Sequence, residues 1–226
     1  MVSIVLFLLI LSGGSLFGAV VLNRRFTDCL PLSVGGMMAI LYVCGLLSIL
    51  RAGVWLIIAA AAVLIAASIV HVIRRRDPIA ALKRVFTADT VIFFVVILIL
   101  TICTIGMEAT AWDEFSHWMD SVKCMTIIDD LGTSPAADIV FPSYPPGISL
   151  IQYLLQKIHL LTGGTAFSEW RSMIAGKIVI VSMMAPLFGR LRRRRITGMF
   201  LEIVVLLLLP GMLYDWYFIS SLINIK

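Results

Sequence analysis

Six stretches of the chain are almost continuously apolar, at 2–22, 30–50, 53–73, 88–107, 172–189 and 197–217. Each approaches the roughly 20 residues that a helix needs to cross the ~30 Å hydrocarbon core of a bilayer. Backbone groups in lipid must be bonded within their own segment, so runs of this kind are helices. The expected fold is all-α: a polytopic membrane protein of about six transmembrane helices. Between the fourth and fifth runs lies a long, more polar stretch, 108–171, with two shorter helical patterns. From Trp112 to Met125, helical spacing puts Asp113, His117, Asp120 and Cys124 on one stripe and Phe115, Trp118, Met119 and Val122 on the other. From Gly147 to Leu161, Ser149, Gln152, Gln156 and His159 share one face, while Ile151, Leu154, Leu155, Ile158 and Leu161 share the opposite one. This second pattern is short for a span and contains Gln152, Gln156, Lys157 and His159. It is expected to lie along the outer interface, with Gln152 and Gln156 in water and Leu154 and Ile158 against lipid or protein. The loop would then hold two amphipathic juxtamembrane helices.

Charge orients these elements. Arg24 and Arg25 follow the first run, Arg74, Arg75, Arg76, Lys83 and Arg84 the third, and Arg190 and Arg192 to Arg195 the fifth. Basic loops stay in the cytoplasm, so these three belong there. The turn near Arg51 and the acid-rich 108–171 segment then belong outside, together with the N-terminus. No Lys or Arg precedes the first run, which reads as a retained helix and not a cleaved secretory signal. Composition agrees. Hydrophobic residues make up 61% of the chain and charged ones 14%, against an apolar share of ~45–50% in soluble domains. The net charge of +5 implies no nucleic-acid partner, because the basic residues sit in short clusters between apolar runs. The lipid bilayer is the first partner, and a bacterial cytoplasmic membrane the expected location. Cys29, Cys44 and Cys103 lie in or beside apolar runs, leaving Cys124 alone in the polar segment, which is no disulfide framework. Small-residue stretches such as Ala59 to Ala62 suit close helix packing.

The candidate chemistry lies in the outer segment. Asp113 and Glu114 follow the fourth run directly, at the depth where a lipid-borne substrate presents its head group. Tryptophans beside acids also suit an ordinary aromatic belt. A carboxylate pair with His117 is a donor set for a divalent cation, although no third ligand is placed by spacing, so no metal residues are assigned. Further on, Tyr144-Pro145-Pro146-Gly147 forms a rigid turn that fixes the entry of the following helix.

An acidic pair just outside a span, a Trp- and His-bearing helix and a Tyr-Pro-Pro-Gly turn together resemble the bacterial GT-C glycosyltransferases, most of all their dolichyl-phosphate-mannose transferase-like and RgtA-type members. The likeness covers about 89–218. It divides the chain into N-terminal transmembrane helices 1–3 (1–86) and a partial GT-C-like module (87–226) holding the outer loop and transmembrane helices 4–6. It implies an inverting transfer of a sugar from a polyprenyl-phosphate donor to a non-cytoplasmic lipid or polymer acceptor. Asp113 would match the family's catalytic base and Glu114 its partner. His117, Trp118, Asp120, Tyr144, Pro145 and Pro146 would line the substrate site, with Lys123, Arg171 and Lys177 as the cations available to the leaving phosphate. Lys177 is expected to snorkel outward. Members of this superfamily continue through several more spans, so the chain reads as an N-terminal portion that a second polypeptide would complete. A transporter component and a non-catalytic assembly subunit are the rival readings. Away from the run ends, where His71, Asp89 and Asp215 stand, the charged intramembrane residues are few, Lys177 and Glu202, which disfavours a transport path.

Overall fold

The computed structural model describes residues 1–110, 112–140, 142 and 146–191, and among these there is no strand. Eight α-helices follow in order: α1 (Val2–Val20), α2 (Phe26–Leu46), α3 (Leu50–Arg75), α4 (Pro78–Val85), α5 (Ala88–Thr104), α6 (Met119–Ile128), α7 (Gly147–Leu161) and α8 (Glu169–Leu191). A π turn, Glu114–Trp118, leads into α6. Four helices, α1, α2, α3 and α8, are long and apolar enough to cross a membrane. Counting α4 and α5 as one span bent by 54° makes five. The sixth expected span, 197–217, lies outside the described residues.

Helix α2 starts at Phe26 instead of near residue 30, because its polar first turn is itself satisfied. Asp28 stands where the helix dipole favours an acid, and Thr27 donates to the buried Asp89 carboxylate at 2.6 Å. Helix α8 is the hub, packing against α2, α5 and α7. Helix α3 is peripheral: 17% of its apolar window is buried, against 72% for α8, which leaves most of α3 for lipid. One contiguous core runs from Phe7 and Leu11 on α1, through Leu30 and Leu41 on α2 and Phe93 on α5, to Ile174 and Phe188 on α8. The α1–α3 contact is close because a Cβ on Gly13 would sit only 3.1 Å from the Ala61 Cα. Ala61 belongs to the small-residue stretch that suits such an approach.

The helix ends sort onto two faces. On the first, Arg171 near the start of α8 donates to Ser3 Oγ of α1 at 3.2 Å, Gly45 near the end of α2 meets Leu131, and Arg51 at the start of α3 lies 4.0 Å from Asp129. On the second, Gly189 of α8 lies beside Arg25 and Asp89, and Asn23, Arg75 and Arg84 line one cleft. The acidic 108–171 segment and the Arg/Lys clusters after α1 and α3 therefore stand at opposite ends of the bundle, with the N-terminus on the acidic side.

Two local elements differ from the sequence reading. The loop expected after α3 contains a short helix, α4, with Pro78 in its first turn and the Asp77 side chain accepting from Ala80 N at 3.0 Å. Helix α7 has the expected limits but not the expected surroundings. Its polar side chains Ser149, Gln152 and Gln156 are as buried as Ile151, Leu154 and Leu155. The polar face docks on α8 and not on water, while the helix also packs on α1, α2 and α6.

Candidate functional site

The acidic segment reaches its position from the end of α5. Thr104 closes that helix by donating to Leu100 O at 2.6 Å, and Ala109 N then donates to Glu169 Oε2 at the head of α8, also at 2.6 Å. Asp113 sits just ahead of the π turn with its side chain 79% exposed, 4.0 Å from His117 Nδ1. His117 is nearly enclosed, at 11% side-chain exposure, and a short contact joins its Nδ1 to the Ser116 hydroxyl, which in turn donates to Trp112 O. A π turn widens the helix by one residue and recurs at functional sites. Of the apolar side expected to face lipid or the bundle, Met119 and Val122 are buried and Trp118 is 47% exposed.

The remaining sequence-predicted residues scatter. Asp120 and Cys124 are half-buried and Lys123 is exposed on α6. Pro146 caps α7. Arg171 is tied down by Ser3 and by Ser168 Oγ at 2.8 Å, with its guanidinium 4.3 Å from the Trp170 ring centre. The Glu114 side chain, Tyr144 and Pro145 lie outside the described residues. Among the described residues, no three of His, Cys, Asp and Glu come together as metal ligands.

Lys177 corrects an expectation. It does not snorkel: it is 8% exposed and donates to Thr104 Oγ1 at 2.9 Å. It lies eight residues into α8, about 12 Å along the axis from Glu169. An intramembrane cation turned into the bundle marks a functional site more often than a packing accident.

Two polar networks fix the segment over the bundle, and sequence reasoning found neither. In the first, Asp129 closes α6 in the left-handed conformation (φ 56°) and gathers three partners. Tyr153 Oη donates to it at 2.8 Å, the Lys157 ammonium pairs with it closely, and Arg51 stands 4.0 Å away. Lys157 also donates to Thr126 O at 2.8 Å. Burial, and then the bond to Asp129, hold the Tyr153 hydroxyl far above its ordinary pKa, so it is a neutral donor. In the second, Gln156 donates to Ser168 O at 2.6 Å and Ser172 Oγ at 2.8 Å and accepts from Ser168 N at 3.2 Å. Gln152 donates to Ser172 O at 3.0 Å. Beside them the His159 ring fills the space over Gly164, where a Cβ would come within 2.2 Å of it. Burial foremost, then the Arg171 and N-terminal charges, push the His159 pKa below its ordinary value. The arrangement is a braced polar cap at one end of an apolar bundle, with an exposed carboxylate beside an imidazole and a buried ammonium beneath.

Compared with models of known protein families, with characterised proteins and with solved structures, the chain matches none.

Proposed function

We propose that this protein is a multi-pass membrane glycosyltransferase, or the N-terminal portion of one, that moves a sugar from a polyprenyl-phosphate donor to a hydroxyl or amine of a lipid or polymer acceptor on the non-cytoplasmic side. The observation that supports this reading most is an exposed carboxylate at the acidic end of the bundle together with a buried cation deeper in the helix that follows. The exposed Asp113 stands beside His117, and Lys177 is buried against Thr104, the residue that ends the helix from which the Asp113 segment departs. Sugar transfer from a phosphate needs both. A carboxylate takes the acceptor's proton as the bond from C1 to the phosphate oxygen breaks, a contribution worth ~10²–10⁴-fold. A fixed cation offsets the charge that builds on the leaving phosphate. One displacement of this kind inverts the anomeric centre. In this reading Asp113 is the base and Glu114 its partner. Lys177, Arg171 and Lys123 are the cations, and Trp118 and the Tyr144 turn flank the sugar. The acidic cap faces outward and the basic clusters face the cytoplasm of a bacterial membrane, as the excess of Lys and Arg in those loops requires.

The test is turnover by membranes containing the protein, supplied with a panel of polyprenyl-phosphate sugars. Wild type should consume a donor, and Asp113→Asn, which keeps the shape but removes the proton acceptor, should slow transfer by ~10²-fold or more while donor binding changes little. Turnover of Asp113→Asn at the wild-type rate removes Asp113 from the mechanism. Failure of wild type to consume any donor favours an N-terminal fragment that needs a second polypeptide, or a non-catalytic assembly subunit.

A further inference from the structure

A cleft of about 480 Å³ lies at the opposite end of the bundle from the acidic cap. Val20, Val21 and Asn23 of the α1–α2 turn, His71, Val72 and Arg75 of α3, and Asp77 and Arg84 around α4 form its walls. Its charged lining residues are Arg75, Arg84 and Asp77, two cations against one carboxylate, and that carboxylate is held at the start of α4 by Ala80 N. A second cleft of about 300 Å³ shares Val20, Val72 and Ala81 with the first and is almost wholly apolar, walled by Leu16, Ile69, Ile73, Leu82, Val85 and Phe86. The two therefore meet along one line, polar at the helix ends and apolar towards the bundle's middle. From Arg75 to Ser68, which lines the apolar cleft, is about 10 Å of helix. Helix α4 roofs the junction, with Ile79, Leu82 and Phe86 exposed along it. An apolar stripe flanked by Lys and Arg is how a helix lies in the plane of a membrane interface.

We propose that this compound cleft binds an anionic two-chain glycerophospholipid. Its phosphate sits between Arg75 and Arg84, and one acyl chain lies in the groove from Val72 to Ser68 under Val85. The charge selects the ligand: two guanidinium groups match a phosphodiester in fork geometry, and basic pockets between membrane helices hold anionic head groups. A zwitterionic lipid would bring a second cation into a site already positive. The site is at the other end of the bundle from Asp113 and takes no part in the proposed sugar transfer.

Native mass spectrometry of the full chain, released from mild detergent after incubation with equimolar phosphatidylglycerol and phosphatidylcholine, tests this directly. Wild type should retain phosphatidylglycerol at least ~10-fold over phosphatidylcholine. Arg75→Gln with Arg84→Gln should abolish that preference. Arg74→Gln with Lys83→Gln removes the same charge from outside the cleft and should keep it. Ala81→Trp, which fills the junction, should lower retention of both lipids. A size-exclusion profile unchanged from wild type keeps each comparison valid, and the wild-type preference stands as a test by itself. Equal retention of the two lipids by wild type, or equal loss in both double variants, overturns the proposal.

Discussion

Replacing Asp129 with Asn isolates the charge that braces the cap. Asparagine tolerates the left-handed backbone at this position and still accepts from Tyr153, so what disappears is the negative charge facing Lys157 and Arg51. The two cations do not weigh equally. Arg51 is 73% exposed and 4.0 Å away, so its share is that of a surface pair, about 0.5 kcal/mol. Lys157 is 15% exposed, with Thr126 O as its other acceptor. Breaking a fully buried pair costs about 3–5 kcal/mol. The Asp129 carboxylate is a quarter exposed, which reduces the expected loss to about 2–3 kcal/mol. A double-mutant cycle with Lys157→Met separates the pair from the rest. Reversible unfolding in mixed micelles, titrated with a denaturing detergent, should give a coupling energy of about 2 kcal/mol between the two sites. The reasoning fails if the coupling lies within about 0.5 kcal/mol of zero, for then Lys157 is held by Thr126 and solvent alone.

Gln156→Leu should destabilise by about 2 kcal/mol, since it leaves the Ser168 backbone pair and the Ser172 hydroxyl without their buried partner; spin labels at this position should read as protected from water, and free water access would contradict the docked face. Acid should loosen the same region. His159 has a lowered folded pKa, so the neutral ring's contribution is complete above its unfolded value of ~6.5 and is lost as pH falls below that value. A wild-type midpoint that drops as pH falls below about 6.5 should flatten in His159→Gln, and identical pH profiles for the two would remove His159 from the account.

The membrane-scale features were legible because their signal is long. Runs of about 20 apolar residues mark α1, α2, α3 and α8 however the chain packs, and the alternation of basic clusters anticipated which helix ends share a face. Features that depend on a partner were not legible. Amphipathicity separated the two faces of α7 correctly, yet the pattern of Gln152 and Gln156 is the same whether the polar face meets water or the Ser168 and Ser172 groups of another helix. The Asp129 network joins residues 24 and 31 positions apart in its two bonds to α7, a separation no helical period reports. In the Asp113 stripe, Asp113 and His117 do stand 4.0 Å apart, but the π turn between Glu114 and Trp118 leaves no mark in a constant 3.6-residue period. Lys177 was expected to snorkel because its acceptor, Thr104, lies on another helix that no local pattern connects to it.

The account turns on the acidic cap facing outward while the basic clusters face the cytoplasm, because only the outer leaflet would present the proposed donor to Asp113. Single cysteines at two exposed sites read this directly in a background with Cys29, Cys44, Cys103 and Cys124 replaced: Lys123→Cys on α6 within the cap, and Lys83→Cys on α4 at the far end. Intact cells are treated with a membrane-impermeant maleimide, and a second sample after permeabilisation. The account predicts that Lys123→Cys labels in intact cells and Lys83→Cys only once the membrane is opened. Labelling of Lys83→Cys in intact cells, with Lys123→Cys protected until permeabilisation, would invert the protein and contradict the proposed chemistry at its root.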